Sequence, residues 1–247
     1  MFSHWSAAAI WHLPNAGEWP TEVDCLRSER SGGRGRPGIR THAGLERAAY
    51  SAVDGLLVTD PADTVCALAG VASFPTAIAF ADAALHATHG AGLLTEAALH
   101  EAVATRHGRA GVRAAAEVAA FADGLSESVG ESVSRANMHL AGIAIPELQT
   151  TFHDDEGFIG RSDFSWRGRR LVGEFDGAAK YVRHEYTGGR DAATIVLREK
   201  RREDRLRAIG ERVARWGWAE GISPVKLRQR LLAAGAPERR APAFISL

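Results

Sequence analysis

The chain has 247 residues with 30 Lys plus Arg against 30 Asp plus Glu, a formal charge of zero that offers no overall basic field for a nucleic acid. At 45% hydrophobic and 24% charged, the composition excludes collagen-like, low-complexity and disordered chains, and the length leaves room for two domains. Two cysteines, Cys25 and Cys66, form no CxxC pair, so neither a disulfide framework nor a thiolate zinc site is supported. The apolar stretch near Val71 to Ala87 is interrupted by Pro75 and Asp82, and the N-terminus lacks a basic region followed by an apolar run. The sequence thus predicts no membrane span, no signal peptide and a cytoplasmic location. Three lysines beside 27 arginines, with abundant alanine, point to codon usage rather than to function.

Residues 28–40 (SERSGGRGRPGIR) pack Gly, Arg, Ser and Pro too densely for a regular element and predict a mobile loop, its arginines either solvating the surface or touching phosphates. Residues 59–106 look helical. Thr59-Asp60-Pro61 resembles a helix start, with Val65, Leu68, Ala69 and Ala72 at helical spacing; a second helix covers Pro75 to Thr88, and a third begins at Thr95. His86 and His89 share a helix face, but a metal site needs a third ligand that spacing does not supply, so His86, His89, His100 and His107 read as packed or solvated.

The zero charge is a cancellation. Residues 1–150 carry 10 basic and 16 acidic side chains, a net of −6, whereas 151–247 carry 20 and 14, a net of +6. Such asymmetry suggests separate domains, the basic one better suited to a polyanion, with a solvated face as the plain alternative. From Ser126 the texture changes. Ser128 followed by Glu131 fits a capping box in which the Glu131 carboxylate reaches back to the Ser128 amide, or else faces a neighbouring metal site. The helix would run to about Ala141 with Val133, Asn137 and Leu140 on one face and Gly142 as its stop.

Three extended segments follow, Glu147 to Phe152, Ile159 to Trp166 and Leu171 to Gly177, and predict an antiparallel meander. With Gly168-Arg169 central in a II′ turn, Trp166 pairs with Leu171, Phe164 with Gly173 and Asp163 with Glu174. Phe164, Trp166, Leu171 and Phe175 then share a core face, and Arg161, Asp163, Ser165, Glu174 and Asp176 the other. Carboxylates so placed repel, and either a divalent cation or an ion-pair ladder through Arg161, opposite Asp176, would offset that. A long helix, roughly Asp191 to Gly210, carries Arg198-Glu-Lys-Arg-Arg-Glu-Asp-Arg205, a solvated ion-paired surface or a set of phosphate contacts. Val213 to Trp218 alternates like a strand, and Ser223-Pro224 opens a last helix to about Ala234.

This order resembles the PD-(D/E)xK nuclease superfamily. GRSDFSW…LVGEFDGAAKY…EKRREDRLRAIGERVARWGWAE is similar to a very-short-patch-repair-endonuclease-like domain of unknown function found in actinobacteria, and SHWSAAAIWHLP with VTDPADTVCALA resembles segments of regulators akin to abortive-infection type IV antitoxins. The resemblance implies an α/β (α+β) fold, with a restriction-endonuclease-like mixed sheet flanked by helices over residues 123–247, after a smaller, mostly helical α/β domain over 1–122. It implies a Mg²⁺- or Mn²⁺-dependent DNA endonuclease with Asp163 and Glu174 as metal ligands, Glu131 and Asp176 assisting, and DNA contacts from Arg161, Lys200, Arg202 and Arg205. Glu174-Phe175-Asp176 departs from the motif by placing a carboxylate where its lysine stands; Lys180 or Lys200 would have to substitute. Proteins of the resembled type usually carry an N-terminal winged helix, whereas this sequence begins directly at Met1-Phe-Ser-His-Trp, as if shortened. The alternative implied is an inactive nuclease-like DNA-binding regulator with a cognate toxin or other regulatory partner.

Overall fold

A computed structural model describes residues 1–29, 36–87, 92–106, 108, 110–177 and 192–239, the side chains of 192–196 excepted. The chain mixes helices and strands and divides into two units, Met1–Ser132 and Val133–Leu247, so the division falls inside a helix beginning at Val129 rather than ahead of residue 123. Lys180 and Asp191 lie outside the described residues, as do His89, His107 and residues 30–35 of the expected loop.

In the first unit, α1 (His4–Ile10) buries Ala7 and Ala8 completely, and β1 (Val23–Arg27) pairs in parallel with β2 (Ile39–Ala43). Strands β3 (Tyr50–Val53) and β4 (Leu56–Thr59) form a hairpin closed by Asp54 and Gly55, both at positive φ (49° and 78°), the combination a tight primed turn requires. Helix α2 (Pro61–Ala69) starts at Asp60-Pro61 as expected, α3 spans Phe74–Leu85, and α4 (Glu96–Ala104) is capped by Thr95, whose hydroxyl accepts the Ala98 N–H at 3.2 Å. The pattern at 59–106 continues into an unforeseen helix, α5 (Val112–Phe121), which buries Ala115, Val118 and Ala119 at i, i+3, i+4. These helices enclose Val65, Leu68, Ile78, Phe80, Leu99 and Val118, each worth about 1.5–3 kcal/mol of burial. His86 Nδ1 donates to the Gly124 carbonyl at 2.8 Å.

Helix α6 (Val129–Leu140) ends as the sequence predicts, with Gly142 left-handed at φ 72° and the Ile143 N–H returning to the Met138 carbonyl at 2.9 Å. Val133 and Asn137 are buried, but Leu140 is 54% exposed, because the burial of α6 ends at Met138.

The second unit is built on one mixed sheet of order β5-β6-β7-β8, comprising Glu147–Asp154, Gly157–Trp166, Leu171–Asp176 and Arg212–Gly217, antiparallel except for the parallel β7–β8 pair. Between β7 and β8 the chain passes through α7 (Ala192–Ala208), and α8 (Trp218–Gly221) and α9 (Pro224–Ala234) follow. The predicted register of β6 and β7 holds at Trp166↔Leu171 and Phe164↔Gly173, though the turn differs. Arg167–Arg169 form a 3₁₀ turn followed by Arg170 at φ 47°, so the left-handed position falls on Arg170 and not on Gly168. The ladder also stops at Phe164, so Asp163 and Glu174 are not a ladder pair, and Arg161 stands opposite Thr151 of β5 rather than Asp176, which pairs with Gly217.

Phe164, Trp166, Leu171 and Phe175 occupy the core face as expected, joined by Met138, Ala214, Trp216, Leu227 and Leu231. Gly173 is required there. A Cβ at this position would lie 2.8 Å from Trp216 Cη2, and Trp216 stacks on Phe164 with ring centroids 5.3 Å apart. The indole N–H groups find partners: Trp216 Nε1 donates to Ser134 Oγ at 2.9 Å and Trp166 Nε1 to the Ala144 carbonyl at 2.7 Å. Among the described residues no helix is long and apolar enough to cross a membrane.

Candidate functional site

Strand alternation turns Glu174, Asp176 and Arg215 away from the tryptophan core, and the parallel register sets Glu174 beside Arg215. Glu174 is only 6% exposed. Burying a carboxylate is costly unless countercharge is close, and two arginines supply it. Arg215 Nη2 lies 2.9 Å from Oε2, and Arg202 Nη2, from α7, lies 2.7 Å from Oε1. Oε1 accepts no hydrogen bond, so charge rather than an aligned hydrogen bond holds Arg202 there. Both arginines are shared further. Arg215 reaches Asp176 (3.4 Å), Glu199 (3.5 Å) and Glu203 (3.3 Å), and Arg202 reaches Glu199 (3.6 Å) and donates to the Arg161 carbonyl at 2.7 Å. Burial alone would lower the Arg215 pKa, but Glu174, Asp176, Glu203 and Glu199 together raise it above its ordinary value.

Gly160 makes room for this arrangement, because a Cβ there would run into the Arg202 Nε. Asp163 serves the backbone: its Oδ2 accepts the Phe175 N–H at 2.8 Å, a donor left without a strand partner where the β6–β7 ladder stops. The acidic patch anticipated from the strands is therefore present around Glu174, but arginines from α7 and β8 offset its repulsion, in place of the Arg161 ladder.

The remaining predicted residues are placed as follows. Arg205 binds the β5–β6 turn, its Nε 2.7 Å from Asp154 Oδ2 with further contacts to the Gly157 and Phe158 carbonyls, and this hydrogen-bonded pairing holds the Asp154 carboxyl below its usual range. Arg161 is exposed on β6 and Lys200 on α7. Glu131 belongs to the first unit, where its oxygens accept the Glu127 N–H at 3.0 Å and the Ser128 hydroxyl at 2.7 Å. The capping box thus forms with the Glu127 amide in the role expected of Ser128. Arg215 and Gly160 were not singled out from the sequence, although the alternation in RVARWG already places Arg215 opposite the Trp216 face.

The fit to a divalent cation is poor. Glu174 has an arginine at each oxygen, one oxygen of Asp163 holds a backbone amide, and among the described residues no group of three or more His, Cys, Asp or Glu side chains is gathered for a metal. A Mg²⁺ ion wants several oxygen ligands free to approach octahedral geometry, and these are already committed.

No family model matches the chain, and no solved structure matches it. It is similar to two proteins of Mycobacterium tuberculosis, "Uncharacterized protein MT2308" (strain CDC 1551 / Oshkosh) and "Uncharacterized protein Rv2248" (strain ATCC 25618 / H37Rv). Each is 37% identical over 158 residues, 64% of this chain and 54% of the relative. The chain thus spans about half the length of the curated relatives it matches.

Proposed function

We propose that the second unit is a nuclease-like domain that binds DNA without hydrolysing it, in the manner of an antitoxin-type regulator. The observation that carries this reading is Glu174 held between Arg202 and Arg215, with the motif lysine position filled by Asp176. DNA is favoured as the partner by the basic balance of residues 151–247 and by α7, where Arg198, Lys200 and Arg201 are exposed and make no ion pair among the described residues. Arg198 and Arg201 join Lys200 and the exposed Arg161 as the leading phosphate contacts, in place of Arg202 and Arg205, which are engaged within the fold.

Gel-shift titration of duplex DNA at two salt concentrations tests the proposal. Binding should weaken steeply with salt, and substituting Arg198, Lys200 and Arg201 together by Gln should flatten the log–log slope by roughly 3 if each neutralises one phosphate. Binding that ignores both changes would contradict it.

A second reading, a Mg²⁺- or Mn²⁺-dependent endonuclease, is favoured by one observation: the Asp163 carboxylate lies against the residue next to Glu174. Supercoiled plasmid incubated with the protein and either metal separates the two. Cleavage lost in Asp163→Ala supports the endonuclease, and intact plasmid with retained gel shift supports the regulator. A toxin or other regulatory partner belongs to the regulator reading and rests on the N-terminal resemblance.

A further inference from the structure

A cavity of about 470 Å³ lies within the first unit and is lined by His4, His42, Arg47, Asp63, Cys66 and Arg106 among others. That volume is in the range of small-molecule sites. Its acids and its bases are unequally satisfied. Asp63 Oδ2 accepts the Ala49 N–H at 2.6 Å, and its Oδ1 is paired with Arg106 Nη2, which also donates to the Asp63 carbonyl at 3.0 Å. Glu29 is paired with Arg47 at 2.9 Å. Behind the wall, fully buried Asp24 accepts Arg40 Nε at 2.7 Å, Arg40 Nη2 at 3.1 Å and His42 Nε2 at 2.8 Å.

Donors, by contrast, are left over. Arg106, its side chain 13% exposed, keeps Nη1 and Nε without a hydrogen-bond partner among the described residues, and Nε is fully buried. A buried guanidinium N–H with no acceptor costs more than a typical hydrogen bond returns when it is made. His42 is fixed through Nε2, which donates to Asp24, while Nδ1 has no partner among the described residues. His4 stacks on His42 with centroids 3.7 Å apart, locking both rings at the cavity wall.

We propose that this cavity binds a small molecule through an oxyanion, a phosphate or a carboxylate, received by Arg106 with His42 beside it. An anion in the cavity offers the Arg106 Nη1 an acceptor through a charge-assisted contact. The apolar wall, including Leu26, Ala67 and Val71, takes the rest of the ligand. The site is for binding and not for thiol chemistry. Burial pushes the Cys66 thiol up to about 11, so it stays protonated at neutral pH.

The test titrates the full chain with inorganic phosphate in one arm and acetate in the other, followed by calorimetry and by the imidazole ring signals in NMR spectra. Saturable binding in either arm, with the His42 and His4 signals shifting along the same curve, is expected, and the stronger arm identifies the anion. Arg106→Gln should weaken binding at least tenfold, whereas Lys226→Gln, at an exposed position of the other unit, should leave it unchanged. Because Arg106→Gln also disturbs Asp63, Arg106→Lys serves beside it, keeping the charge but losing the Nη1 donor, and should bind more weakly than wild type. The proposal is overturned if neither anion saturates, if the histidine signals stay fixed, or if both Arg106 variants bind as wild type does.

Discussion

The two units each bury a carboxylate against two nitrogen-bearing side chains, and they do so to different ends. In the first, Asp24 is satisfied by aligned hydrogen bonds from Arg40 and His42, which outweigh the effect of burial and hold its carboxyl below the usual range. The neighbouring Arg106, which lines a cavity, is left with donor capacity. In the second, Glu174 is held by Arg202 and Arg215, which are themselves divided among Glu199, Glu203 and Asp176. Every charge there is committed inside the protein. A cluster of charged residues therefore says little about binding until its donors and acceptors are counted, and by that count the cavity is open to a ligand and the sheet patch is closed.

The largest expected effect comes from breaking the closed patch. Glu174→Ala leaves two partly buried arginines without their shared partner and should cost about 3–5 kcal/mol in urea unfolding, whereas a loss below 1 kcal/mol would mean that solvent screens the cluster. Next is the acid sensitivity of the first unit. Burial, chiefly, and the neighbouring His42 charge lower the His4 pKa to about 4, against 6.5 in the unfolded chain. The unfolded chain thus takes up a proton that the folded one refuses, so this contribution is complete above pH 6.5 and is lost as pH falls towards 4. Its ceiling is on the order of 3 kcal/mol. His4→Phe, which keeps a ring on His42, should flatten the difference in stability between pH 7 and pH 5, and an unchanged slope would remove His4 from the account. The Asp24 contribution has a lower window: it persists through the ordinary carboxylate range and fades only as pH falls below it.

A smaller change sharpens the comparison at Gly160. Gly160→Ala pushes Arg202 off Glu174 and should cost about 1–3 kcal/mol, with Glu174→Gln in the same background adding less than it does alone. Strict additivity in that cycle would show that Gly160 and Glu174 do not act through one arginine. Smallest is Arg167→Ala. Its pair with Glu147 is 63% and 56% exposed, so the loss should stay within about 0.2–1 kcal/mol and vanish in high salt.

Much of the second unit's sheet was legible because strand alternation is local: Phe164, Trp166, Leu171 and Phe175 sort to the core on period alone, and the register follows from the spacing of two strands about a short turn. The turn itself was misjudged, since glycine at 168 suggests a primed turn while the chain places its left-handed residue at Arg170. In the first unit the Asp54-Gly55 dipeptide is a local hairpin signal, whereas the parallel pairing of β1 with β2 joins segments that no local pattern links. For the site, the carboxylates could be placed on one face, but what neutralises them could not. Arg202 and Arg215 arrive from a helix and a parallel strand more than 25 residues downstream of Glu174, and only the folded arrangement brings them together.

The most direct test of the closed patch is calorimetric titration of the full chain with Mn²⁺ at neutral pH, beside Asp163→Ala and Glu174→Gln. Arginine-held carboxylates predict no saturable site that depends on these two residues. Stoichiometric Mn²⁺ binding in the wild type that both substitutions abolish would contradict this account and restore the metal-dependent nuclease.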